Sequence, residues 1–125
     1  MIATMPVSET FRSKPESNIH QELQGLPPSV VTAVLRLHAG GGMEDVEAML
    51  PGLISYHLPT GVAPLPEPLP LGLRLREDLG LDSLALSEMA FKLDELFHVP
   101  IETREVAGVL TVEDLRNFLG RKLDL

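Results

Sequence analysis

The sequence predicts an all-α fold: a small bundle of three long helices and one short helix, with an extra helix before it. Hydrophobic residues make up 44% of the 125 residues, but aromatic residues make up only 4% and Trp is absent. The core must therefore be aliphatic, which suits a helical bundle better than a β-sandwich. Apolar residues also recur at helical spacing in several segments, and helix-starting and helix-ending residues flank these segments.

The first third of the chain is expected to lie outside the bundle. Residues 1–27 are polar and weakly patterned, so we expect a flexible tail. The extra helix follows over 28–38, where Pro28 suits the first turn and Val and Leu residues form a stripe. Three glycines then complete the segment 28–42 as a flexible joint. This joint leaves open whether the extra helix packs on the bundle, docks a partner or mediates dimerisation, and we expect a monomer.

The bundle itself is expected over residues 43–125. Apolar residues at helical spacing predict its first helix over 43–57, although Pro51 should kink or divide it by removing an internal hydrogen bond. Five prolines in 59–70 predict an extended connecting loop. The clearest amphipathic helix covers residues 83–97.

The last part of the bundle is expected to hold a short helix and a longer one. Residues 103–107 predict the short helix, which Gly108 stops. Thr111 is expected to cap the final helix together with Asp114, and Gly120 to end it as a C-cap. The residues expected to line the bundle interior are Leu86, Met89, Ala90, Leu93, Val109, Leu115 and Phe118.

Composition narrows the function classes. The net charge of −8 and the pI of about 4.9 make nucleic acid and anionic membranes poor partners, and a basic protein surface a better one. The absence of Cys excludes disulfides, thiolate catalysis and Cys-based metal sites. The N-terminus lacks a secretory signal pattern, and no apolar run is long enough to span a membrane. A cytoplasmic location is expected.

The most informative stretch is 75–84, Leu-Arg-Glu-Asp-Leu-Gly-Leu-Asp-Ser-Leu, which leads into the clearest helix. It resembles the mark of the acyl carrier protein family: an acidic residue, Leu, Gly and a short spacer, then Asp-Ser-Leu at the start of the second long helix. The resemblance covers about residues 43–120 and includes the helix order and the long first loop. It implies an acyl-carrier-protein-like four-helix bundle.

The resemblance implies that Ser83 receives a 4′-phosphopantetheine arm from coenzyme A, through a separate phosphopantetheinyl transferase that uses Mg²⁺. It implies that Asp82 helps this transferase to bind the metal or orient the serine. A phosphodiester at a helix start would lie near unpaired N–H groups and the positive end of the helix dipole. From the residues alone, Ser83 could instead be a simple helix N-cap and Asp82 a favourable N-terminal charge.

The solvent side of the same helix carries two apolar residues among acidic ones. The resemblance assigns this side to the docking of cargo-loading and acyl-processing enzymes with basic patches. A solvated acidic helix face is the alternative interpretation. Ala85 and Lys92 depart from the family's more acidic pattern. We call the six predicted residues the docking face: Leu84, Ser87, Glu88, Phe91, Asp94 and Glu95.

These observations predict a carrier protein and not an enzyme, with an acyl-type cargo held as a thioester on the arm at Ser83. Ser83 lacks the Gly-x-Ser-x-Gly elbow of a serine hydrolase, and the four histidines have no metal-ligand spacing. Within the carrier class, an aminoacyl or polyketide cargo remains open. An alternative of another class is a helical interaction module that is never modified.

Overall fold

A computed structural model describes residues 23–59 and 65–125, and within these ranges the chain forms five α-helices and no β-strand. The predicted all-α bundle is therefore confirmed. Helices α2, α3 and α5 are the long helices of the bundle, α4 is the short one, and α1 precedes them. Their bounds are Pro28–His38 for α1, Met43–His57 for α2, Ser83–Phe97 for α3, Thr103–Ala107 for α4 and Val112–Lys122 for α5.

The bundle core is aliphatic, as the composition predicts. Side chains from all five helices and from the connection before α3 form one buried cluster. Contiguous burial of this kind supplies the main stabilisation of a small helical domain. The seven residues expected in the interior are all buried: Leu86, Met89, Ala90, Leu93, Val109, Leu115 and Phe118.

Helix α2 corrects the expectation that Pro51 divides it, because the helix is continuous from Met43 to His57 with Pro51 inside. Pro51 lacks an N–H and thus removes one internal hydrogen bond. On both sides of it, however, Met49, Leu50, Leu53 and Ile54 are buried in the core. Their packing outweighs the local cost, since tertiary context commonly overrides helix propensity.

Helix α1 packs on the bundle, which is one of the three roles left open for it. Val30, Ala33 and Val34 are buried against α2. The two helices approach so closely at Gly52 that a Cβ there would lie 2.8 Å from Val30 Cγ2. At its other end, His38 Nε2 lies 2.7 Å from the carbonyl oxygen of Leu96 in α3.

The last residues of the segment 1–27, expected to be a flexible tail, are packed in the structure. Leu23 and Leu26 are buried in the same core as α1, so these residues belong to the packed unit. The sequence gives no helical period there, which is why their burial was not expected. Residues 1–22 lie outside the described part of the chain.

Helix α5 begins as predicted and ends later than predicted. Thr111 Oγ1 accepts a hydrogen bond from the Asp114 N–H, and Asp114 Oδ2 accepts one from the Thr111 N–H, both at 3.1 Å. The helix then continues through Gly120 to Lys122, so the expectation that Gly120 is its C-cap is wrong. Gly120 is buried, and a Cβ there would lie 2.8 Å from Met43 Sδ. This glycine therefore serves close packing.

Candidate functional site

The turn before α3 is anchored at both ends in the bundle. Leu75 and Leu81 are fully buried, and the Leu81 N–H donates to the Leu75 carbonyl at 2.9 Å. The Leu75 N–H in turn donates to the Leu110 carbonyl, near the start of α5. Gly80 has φ of +79°, a conformation that glycine adopts without steric cost. The motif thus forms a fixed support for the residues that follow it.

An exposed ion pair closes the same turn. Asp78 Oδ2 accepts a hydrogen bond from the Arg74 N–H at 2.8 Å, and Asp78 Oδ1 lies 3.2 Å from Arg74 Nη2. The hydrogen bond from the Arg74 side chain lowers the pKa of Asp78, and the backbone hydrogen bond adds to this. Asp78 is therefore held as a carboxylate. Its hydrogen bonds to Arg74 give this acidic residue of the motif a structural role in the turn.

Asp82 is the N-cap of α3. Its backbone is extended, and its Oδ1 accepts a hydrogen bond from the Ala85 N–H at 2.8 Å. The interpretation of Ser83 as a simple N-cap is therefore wrong, because the preceding residue has that role. Ser83 becomes the first residue of the helix.

Ser83 presents an exposed hydroxyl at the start of α3. Within residues 23–59 and 65–125, no hydrogen bond engages this hydroxyl. The first N–H groups of a helix have no intrahelical acceptor, and they lie at the positive end of the helix dipole. An anionic phosphodiester on Ser83 would lie near these N–H donors. The start of α3 therefore fits a 4′-phosphopantetheine group attached at Ser83.

The docking face lies along one side of α3, with different degrees of exposure. Leu84 and Phe91 are each 67% exposed, so this side of α3 presents two large apolar side chains to solvent. Glu88 is also exposed, whereas Ser87, Asp94 and Glu95 are half-buried. Asp94 has a structural contact as well, because its Oδ2 accepts a hydrogen bond from the Ile101 N–H at 3.3 Å.

A groove that shares four residues with the docking face also includes two residues that the sequence did not indicate. Tyr56 and His57, at the end of α2, line this groove of about 690 Å³ opposite residues of α3. We call it the α2–α3 groove; its α3 residues are Ser87, Glu88, Phe91, Lys92 and Glu95. Nothing in the spacing of one helix indicates which residues of another will lie beside it.

His57 is held in place at the end of α2. Its Nδ1 lies 3.0 Å from the Leu53 carbonyl oxygen, which accepts the hydrogen bond, and its ring makes an edge-on contact with Tyr56. Burial lowers the pKa of His57, and this outweighs the opposing effects of the backbone hydrogen bond and of Glu88. His57 is therefore neutral at physiological pH.

Residues 23–59 and 65–125 contain neither a metal-binding cluster nor a membrane-spanning helix. No group of three or more His, Asp or Glu side chains there is arranged to hold a metal ion. None of the helices in these ranges has the length and apolar character needed to cross a membrane.

Comparison with known proteins agrees with the site geometry. Residues 64–119 match the family model described as the phosphopantetheine attachment site. The chain is also similar to an acyl carrier protein of Phytoplasma australiense, with 40% identity over 50 residues. That alignment covers 40% of this chain and 66%, just under two thirds, of the relative. No solved structure matches the chain.

Proposed function

We propose that the chain is a carrier protein of the phosphopantetheine-attachment family, whose model matches residues 64–119, and that Ser83 is the residue that carries the 4′-phosphopantetheine arm. The protein then presents an acyl-type cargo to successive enzymes and performs no chemistry of its own. The attached group supplies a terminal thiol that holds the cargo as a thioester. The tether keeps the cargo at a high effective concentration for each enzyme that docks.

The observation that carries this proposal is the division of roles between Asp82 and Ser83. Asp82 accepts the capping hydrogen bond from Ala85, which leaves the exposed Ser83 hydroxyl at the helix start for reaction. In the transfer, Ser83 Oγ forms a bond to the phosphorus of the phosphopantetheine group, the nucleotide part of coenzyme A leaves, and the serine proton is lost. The helix N-terminus stabilises the resulting anionic phosphodiester.

The transfer requires a separate phosphopantetheinyl transferase with Mg²⁺, and Asp82 is the residue proposed to assist it. The cap bond engages one oxygen, Asp82 Oδ1. Because Asp82 is exposed, its other carboxylate oxygen is open to solvent and to the metal of a docked transferase. One residue can therefore cap the helix and assist the transferase at the same time.

Intact-mass measurement tests the assignment of Ser83. The purified protein is incubated with coenzyme A, Mg²⁺ and a broad-specificity transferase, and a mass gain equal to one phosphopantetheine group is expected. Ser83→Ala should show no gain while keeping its helical circular dichroism spectrum. Ser55→Ala, at an exposed serine of α2 outside the docking face and the α2–α3 groove, is the matched control and should gain the full mass.

Two outcomes contradict the proposal. A mass gain in the Ser83→Ala variant would place the arm on another residue. A wild-type protein that gains no mass would favour the alternative of a helical interaction module that is not modified.

A further inference from the structure

We propose that partner enzymes dock in the α2–α3 groove, where Tyr56 of α2 and Phe91 of α3 together receive one large apolar side chain that basic residues flank on the partner's surface. This proposal rests on the proposed carrier function. It extends the docking surface beyond the single face of α3 by adding Tyr56 and His57. The partner is thus defined by a protruding aliphatic or aromatic side chain next to Arg or Lys.

The apolar part of the groove comes from two different helices. Tyr56 is 41% exposed at the end of α2, and Phe91 is 67% exposed in the middle of α3. Both line the same groove of about 690 Å³. Exposed aromatic side chains beside a concave surface are typical anchors of protein interfaces, where a few such residues carry most of the binding energy.

The charge around the groove favours a basic partner. Glu88 and Glu95 are both lining residues, and the cation among the lining residues, Lys92, has its Nζ 3.4 Å from Glu95 Oε1. His57 adds no positive charge near neutral pH, since burial lowers its pKa. The lining therefore has a net negative charge, which complements Arg or Lys on a docking enzyme.

The groove also lies at a useful position relative to the modified serine. Ser87 lines it and follows Ser83 by four residues in the same helix. Four residues of α-helix span about 6 Å along the axis, so Ser83 lies about one turn from the edge of the groove. The flexible arm on Ser83 can therefore reach the surface of a partner that docks in the groove.

Titration of the full-length protein with two synthetic peptides tests the proposal. The first is an amphipathic helical peptide that presents one Leu flanked by Arg residues a helical turn before and after it. The second has Glu in place of both Arg residues. With ¹⁵N-labelled protein, the Arg peptide should give saturable chemical-shift changes at Tyr56, His57 and Phe91. The Glu peptide should bind at least about tenfold more weakly.

Three variants test the contribution of Tyr56 on α2 to binding of the Arg peptide. Tyr56→Ala should weaken binding of the Arg peptide about fivefold or more, because it removes one of the two aromatic anchors. Tyr56→Phe keeps the ring and should bind as the wild type does. Leu35→Ala is the matched control, since Leu35 is a partly exposed apolar residue on α1 and does not line the groove.

The proposal is overturned if Tyr56→Ala binds the Arg peptide as tightly as the wild type, if both peptides bind equally, or if no saturable shifts occur at the groove. The titration does not require the arm. Its failure is therefore distinct from failure of the Ser83 assignment, which the mass measurement reports separately.

Discussion

Asp82 caps the helix that begins at Ser83, with its Oδ1 accepting the Ala85 N–H at 2.8 Å. The residue before the proposed attachment point therefore has a measurable structural role. Stability and loading can be separated at this position, because Asn keeps the capping oxygen but lacks the charge.

Asp82→Ala should lower the free energy of unfolding by about 0.5–2 kcal/mol, the usual cost of losing an N-cap. Asp82→Asn should stay close to the wild type in a urea titration. If the carboxylate also assists the transferase, Asp82→Asn will gain phosphopantetheine more slowly than the wild type despite this stability. An Asp82→Ala protein as stable as the wild type would show that the cap bond contributes nothing.

Truncation to Ala should have very different effects on stability at two apolar residues of α3. Leu93 is fully buried in the core, so Leu93→Ala should cost about 2–5 kcal/mol of unfolding free energy through lost burial and a cavity. Phe91 is 67% exposed, and Phe91→Ala should change stability by about 0.5 kcal/mol or less. Urea denaturation of both variants checks this. A large loss for Phe91→Ala would mean that this ring serves the core.

The contact between α1 and α2 can be tested at a single glycine. A Cβ at Gly52 would lie 2.7 Å from Ser29 Oγ and 2.8 Å from Val30 Cγ2, so Gly52→Ala should push α1 away from α2. We expect a loss of about 1–3 kcal/mol, the usual cost of overpacking. Gly72→Ala is the control, because no atom lies within 4 Å of its added Cβ.

Thermal or urea unfolding reports both glycine variants. If α1 were loosely attached, Gly52→Ala would instead be neutral or slightly stabilising, since Ala favours a helix over Gly. Hydrogen exchange of residues 28–38 should also be faster in the Gly52→Ala protein than in the wild type.

His57 should make stability depend on pH. Burial lowers its pKa in the folded protein, whereas the unfolded chain keeps the ordinary value of 6.5. Below about pH 6.5 the unfolded chain therefore binds the proton more readily, so this contribution to stability is present at higher pH and is lost as the pH falls. The loss levels off below the folded pKa.

His57→Gln, which is neutral at every pH, isolates that effect. Urea titrations at about pH 7.5 and about pH 5 should show a smaller decrease in stability for the variant than for the wild type. Equal decreases in the two proteins would rule out His57 as the source.

The helices with strong local boundary residues could be predicted from the sequence. The bounds of α3 and α4 are those expected, because capping residues and Gly108 set them locally. The exposure of Leu84 and Phe91 also followed from helical spacing alone. Ser83 could be singled out by its motif, although its assignment as the attachment point stays a prediction.

The features that were missed depend on contacts between distant segments. Continuous α2 around Pro51 is favoured by core packing that no local pattern describes. Gly120 is a residue type common at helix C-caps, but it lies inside α5, where it allows close packing against Met43 at the start of α2. Tyr56 and His57 become candidate site residues only because α2 lies beside α3.

The packing of α1 has a consequence for anyone who exchanges carrier domains between proteins. The stretch that matches the family begins at residue 64, yet Val34 of α1 and Met49 of α2 are fully buried in the shared core. A chimera cut at residue 64 would leave the hydrophobic side of α3 and α5 without the helices that cover it. Leu23 is buried in the same core, so we expect a grafted domain to need residues 23–125 together.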